Sequence, residues 1–102
     1  MMELTQNTGF LPQVAKWVKC GIKEVTIGAI TYKINADLFN SGFITVCAQN
    51  NTTNKGVLYT IAISNNCVYV TTYNLDEYGA CDLITRITTH DTNIITLFDF
   101  AI

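Results

Sequence analysis

Val57-Leu58-Tyr59-Thr60-Ile61-Ala62-Ile63-Ser64-Asn65-Asn66-Cys67-Val68-Tyr69-Val70 is the stretch that decides the fold. Val57, Tyr59, Ile61 and Ile63 recur at every second position, as do Val68 and Val70. That period places each set on one face of a strand. Asn tolerates positive φ, so Asn65-Asn66 suits a two-residue hairpin turn. The turn sets Ser64 opposite Cys67, Ile63 opposite Val68 and Ile61 opposite Val70. All four aliphatics then share one face, so turn chemistry and hydrophobic period agree on one register.

Upstream, Phe43 to Ala48 reads as a further strand, and Gln49 to Gly56 as a polar loop rich in Asn and Thr. Val25, Ile27 and Ala29 share one parity, while Ile30, Tyr32 and Ile34 share the other. The change of phase beside Gly28 predicts a bulge or a sharp bend. Asn35 to Gly42 reads as a connection with room for one helical turn over 36–39. At the N-terminal end, Leu11, Val14, Trp17 and Val18 lie at helical spacing. Pro12 in the first turn and Gly21 just past the end are start and stop signals. Lys16 and Lys19 fall towards the end that favours cations. The rival reading of this segment is an irregular arm.

Downstream, Asn74 to Cys81 is a polar loop. Leu83, Thr85 and Ile87 then alternate, as do Ile94, Thr96, Phe98 and Phe100 beyond the loop His90 to Asn93. A second hairpin is expected, with Thr89 opposite Ile94, Ile87 opposite Thr96 and Leu83 opposite Phe100. Its last strand would run to Ile102. The expected fold is therefore mainly β: a small antiparallel sandwich or barrel of about six strands, with one short N-terminal helix. The whole chain, 1–102, reads as one β-rich domain, with 1–21 an arm or helix and 22–102 the antiparallel strands.

Thr, Ile and Asn fill over a third of the positions and Pro occurs once, which suits strands joined by tight turns. The net charge is −2 and the basic residues are scattered. Lys16, Lys19 and Lys23 are the nearest approach to a cluster. Nucleic-acid binding needs a concentrated basic face, and an anionic membrane surface needs the same, so neither partner is expected. Apolar runs of about five residues are far short of the roughly 20 that span a bilayer. The polar start Met1 to Asn7 lacks a basic and apolar leader. A cytoplasmic or virion-associated product without a signal peptide is expected.

Cys20, Cys47, Cys67 and Cys81 form no C-x-x-C pair and show no zinc spacing with the single histidine. Buried free thiols are the expectation, and the even count leaves disulfides open. No metal and no cofactor are expected. His90 beside Asp91 suggests a general base, but a hairpin tip offers no cleft, so a structural or solvent role is the plainer one. The two N-x-T acceptors at Asn50 and Asn51 mean little without a secretory signal. Asp76-Glu77-Tyr78-Gly79, with Asp82 beyond, gathers three carboxylates without the spacing of a calcium loop. It reads as a solvated loop, a weak cation site or a partner contact. Tyr69 and Tyr73 share the parity opposite to Val68 and Val70. Unless a second sheet covers that face, they present an aromatic and Thr stripe. The candidate binding residues are accordingly Tyr69, Tyr73, Tyr78, Asp76 and Glu77, and none is catalytic.

One family resemblance can be traced from Val25 to Ile102. It rests on Thr26-Ile27-Gly28-Ala29 with Tyr32-Lys33-Ile34, then Ser41-Gly42-Phe43-Ile44-Thr45-Val46. After a polar loop come Val57-Leu58-Tyr59 and Val68-Tyr69-Val70, and the finish is Asp91-Thr92-Asn93-Ile94-Ile95-Thr96-Leu97. The layout resembles the small β-domains at the ends of bacteriophage tail fibres and receptor-binding proteins. The resemblance implies a β-sandwich that trimerises and contacts a host surface. It covers about three-quarters of the chain and carries over no binding residue. The N-terminal helix and the four cysteines depart from it.

Three functions follow as expectations. The first is a non-enzymatic interaction module of viral, phage-like origin that homo-oligomerises and binds through its surface. The second is a small intracellular inhibitor or ligand-sequestering protein of a mobile element. Lys23, Lys33, Lys55 and Arg86 would be its candidates for holding an anion. The third is an enzyme, for which one histidine and few carboxylates offer no constellation.

Overall fold

The computed structural model describes residues 10–36, 43–64 and 66–98. The chain runs α1 (Leu11–Lys19), β1 (Glu24–Ile27), β2 (Ile30–Asn35), β3 (Phe43–Asn50), β4 (Gly56–Ile63), β5 (Val68–Leu75), β6 (Cys81–Thr89) and α2 (Thr92–Leu97). The six strands form one antiparallel sheet in the order β1-β2-β3-β4-β5-β6. Every neighbour in the sheet is a neighbour in sequence, so short turns suffice for most connections. The expected mainly-β fold of six antiparallel strands and a short N-terminal helix is present. The layer that covers the sheet is helical, and no second sheet occurs among the described residues.

The β4–β5 hairpin has the register its sequence implies: Ile63 opposite Val68 and Ile61 opposite Val70. The Ser64 N–H donates to the Cys67 carbonyl at 3.0 Å, and Ser64 Oγ accepts from the Cys67 N–H at 3.2 Å. The phase change near Gly28 is a two-residue turn, because Ile27 pairs with Ile30. Gly28 sits at φ 61, the conformation that the first central residue of a type II′ turn needs and that costs glycine least.

Helix α1 closes as its sequence signals. Pro12 stands in the first turn and Lys16 and Lys19 in the last. Gly21 has φ 72; its N–H donates to the Val18 carbonyl at 3.1 Å, and the Ile22 N–H donates to the Trp17 carbonyl at 2.9 Å. Together these form a Schellman motif, which satisfies two carbonyls the helix would leave orphaned. The buried stripe Leu11, Val14, Ala15 and Trp17 lies on the sheet. Two aromatic pairs join the layers: Phe10 with Tyr59 at 5.1 Å and Trp17 with Tyr32 at 5.4 Å between ring centroids.

The second hairpin expected from Leu83 to Phe100 does not form. Its first strand is β6, but residues 92–97 are helical. Asp91 caps α2 by accepting from the Asn93 N–H at 2.9 Å. Ile94, Ile95 and Leu97 pack against the core, and Phe98 is fully buried just past the helix. The letters that alternate with period two also fit one helical turn, and contact with α1 decides between them. The pairing of Leu83 with Phe100 and the strand to Ile102 lie outside the described residues, as does the helical turn expected over 36–39, apart from Ala36.

Core residues come from one side of each strand: Ile30, Tyr32 and Ile34; Ile44, Val46 and Ala48; Val57, Tyr59 and Ile61; Val68 and Val70. Among them Thr72 is completely buried, and its Oγ1 has no hydrogen-bond partner. An unpaired buried hydroxyl costs about 1–3 kcal/mol, so replacing it by a methyl of the same shape removes that penalty. Thr72→Val is therefore expected to raise the urea midpoint without changing the slope of the transition. A lower midpoint would show that the hydroxyl is satisfied.

Candidate functional site

The helices leave the other face of the sheet open. Side chains alternate across a strand, so the residues between the core positions point to this face. Cross-strand pairing sets them in rows. One row runs Asn35, Thr45, Thr60, Thr71, Arg86. Its neighbour runs Glu24, Lys33, Cys47, Leu58, Tyr73, Leu83. A third runs Phe43, Ala62, Tyr69, Thr88. No described element covers these rows.

The charge distribution on this face is uneven. β3, β4 and β5, eight residues each, contain no Asp, Glu, Lys or Arg at all. An antiparallel sheet with one wet face ordinarily alternates apolar with polar or charged residues. Here the wet face shows Thr, Tyr, Leu, Ala, Cys and Gln at its centre. Charges stand only at the flanks: Glu24 and Lys33 on β1 and β2, Arg86 on β6. Phe43, Tyr69 and Leu83 are 40, 47 and 51% exposed.

Tyr69 and Tyr73 lie on this face, as their parity implies. The Cys67 thiol beside Tyr69 pushes its phenol above the ordinary tyrosine range, first through a side-chain hydrogen bond and then through charge. Tyr78, Asp76 and Glu77 belong to the β5–β6 loop instead. Asp76 Oδ1 accepts from the Tyr78 and Ala80 N–H groups, both at 2.9 Å, so its carboxylate shapes the turn. Tyr78 is 88% exposed. Asp76 and Glu77 instead line a small cavity of about 230 Å³ with Cys47, Gln49, Gly56 and Leu75. That is below the roughly 300–1,000 Å³ of typical small-molecule pockets.

Gln49 and Gly56, the ends of the expected polar loop, belong instead to β3 and β4 and pair with each other. Gly56 has no side chain because a Cβ there would press on the Ala48 carbonyl oxygen and lie 3.1 Å from the Gln49 Cα. The lack of charge along β3 to β5 is legible in the sequence itself. Lys23 precedes β1, Lys33 lies on β2, Lys55 precedes β4 and Arg86 lies on β6.

His90 is exposed between β6 and α2, with Nδ1 3.3 Å from the Asn66 carbonyl oxygen, while the Asp91 carboxylate caps α2. The two side chains serve separate structural ends. Among the described residues, no group of three or more His, Cys, Asp or Glu could hold a metal ion. No described helix is long and apolar enough to cross a membrane.

All four cysteines are free, but only Cys67 is fully buried. Cys20 caps the end of α1 and Cys81 begins an edge strand, and both positions are exposed. Burial raises the Cys47 thiol above its ordinary range; Lys33 opposes this, and Cys81 adds to it. The thiolate is the reacting species. At pH 8, iodoacetamide is therefore expected to label Cys20 and Cys81 well before Cys47, as read by peptide mass spectrometry. As the pH rises, Cys47 should be the later of these sites to gain reactivity. Early labelling of Cys47 would contradict its burial.

Comparison with protein-family models, curated proteins and solved structures finds no match to the chain.

Proposed function

We propose that the chain is a non-enzymatic interaction module of viral, phage-like origin that works by oligomerising and by binding through the open face of its sheet. The observation that carries this reading is the charge-free centre of β3, β4 and β5 within a charged rim. Protein interfaces share that anatomy: charges are depleted at the core, aromatics are enriched, and polar groups ring the edge. Leaving such a face wet exposes Tyr, Leu and Phe surface that a partner would bury. The viral, phage-like origin carries over from the strand rhythm that resembles tail-fibre tip domains, although a helical layer stands where that resemblance implies a second sheet.

The test places a photoreactive benzoylphenylalanine at Thr71, on the open face, or at Lys16, exposed on α1. Irradiation in cells making the chain is expected to give protein adducts from position 71 and none from position 16. Adducts with another protein and adducts between two copies both support the reading. Adducts from position 16 alone, or from neither position, overturn it.

A further inference from the structure

We infer that a second copy of this chain covers the open face, packed sheet to sheet about a two-fold axis that runs along the strands between β3 and β4. The inference rests on the interaction-module reading and names the partner.

Size is the first argument. Strands spaced about 4.8 Å apart, with about 3.4 Å per residue, give the six-stranded face about 600–700 Å². Two copies then bury about 1,200–1,400 Å², within the range of stable specific interfaces at about 1,200–2,000 Å². The second argument is what meets at the centre. β3 would stack on β4 of the second copy, and β4 on its β3, bringing Thr45, Thr60 and Ala62 together with no charge to desolvate. Side chains this short allow the roughly 10 Å spacing of packed sheets.

The flanks select the axis. An axis along the strands lays β1 over β6 of the second copy, so Glu24, over the row of Leu83, comes within side-chain reach of Arg86 in the adjacent row. The same rotation sets Lys33 of β2 over β5, in the row of Tyr73, whose ring face attracts a cation. An axis across the strands would instead lay β1 on β1 and β6 on β6, like charge on like. The helices sit on the opposite face of each sheet and do not obstruct either arrangement. The product is a β-sandwich with a helical layer outside each sheet, formed between two chains.

Light scattering behind a sizing column, with sedimentation equilibrium from about 1 to about 100 μM, is expected to give the mass of two chains with and without reductant. Thr60→Arg places a charge at the axis and should yield single-chain mass while the circular dichroism spectrum and a cooperative melt persist. Lys16→Glu on the helical face should remain a dimer. Glu24→Arg and Arg86→Glu should each raise the dimer dissociation constant by about tenfold, and the double exchange should return most of the affinity. Single-chain mass for the unaltered protein across this range overturns the inference. So does a dimer that survives Thr60→Arg, or one that the double exchange fails to rescue. Single-chain mass together with crosslinks from Thr71 to a different protein would overturn the dimer and the oligomerising half of the proposed function, and leave binding through the open face standing.

Discussion

Phe10→Ala is expected to remove about 3–5 kcal/mol of stability, the usual cost of emptying a buried phenylalanine site. Phe10 is 1% exposed, immediately precedes α1 and packs at a tilt against Tyr59, with ring centroids 5.1 Å apart. Truncation would leave a hole where the helix layer meets the central strand β4. A domain of this size holds about 5–15 kcal/mol in total, so much of it would be lost. Each kcal/mol should lower the melting temperature by about 4–8 °C. Urea titration measures the change, and the slope of the transition shows whether the native state has also expanded. A loss below about 1 kcal/mol would mean that α1 is not what covers the sheet. The complementary face should behave differently. Tyr69→Ala, on a half-exposed ring, should change monomer stability by much less, because little of that surface leaves water within a single chain.

Gly56→Ala is expected to cost about 1–3 kcal/mol although it adds only one methyl. The new Cβ would meet the Ala48 carbonyl oxygen and the Gln49 Cα, which are backbone atoms of the paired strand and cannot rotate away. Relief requires β3 and β4 to part at this end. Gly28→Ala makes the informative comparison. Its Cβ would enter open space, and the cost is the strain of a non-glycine residue at φ 61, about 1–2 kcal/mol. Thermal melts of the two variants should show the larger fall at Gly56 and, by circular dichroism, a disturbed strand signal there alone. A harmless Gly56→Ala would mean that the strands do not approach as closely as described. The same methyl would intrude on the cavity beside Cys47, so this position joins sheet geometry to the shape of the open face.

The parts of the fold that were legible are those where two local signals coincide. In β4–β5 the alternation of Ile61, Ile63, Val68 and Val70 and the Asn-rich turn demand one register, and a slip by one residue would turn every aliphatic into water. In α1 the spacing of Leu11, Val14 and Trp17 agrees with Pro12 at the start and Gly21 at the end. Asp91 to Phe98 was not legible because its local signals conflict. Ile94, Thr96 and Phe98 alternate, but Asp91 also caps a helix, and the segment is too short for its period to discriminate. Among the binding candidates, parity was enough to place Tyr69 and Tyr73 on the open face. It was not enough for Asp76, Glu77 and Tyr78, whose directions depend on the hydrogen bonds of one turn.

The sequence by itself determined the β4–β5 hairpin and its register, because alternation and turn chemistry act over a few residues; it did not determine β6, which pairs with β5 through a register shift at Thr72/Tyr73 that turns Leu83 to the open face, away from Thr85 and Ile87. Only the tertiary structure decided what lies on each side. Both faces of the central strands are free of charge, so composition could not tell the buried face from the open one, nor a second sheet from a helical layer. Contact decided it: α1 and α2 can shelter one face of a six-stranded sheet, and the rows of Thr and Tyr on the other face remain where a partner can reach them.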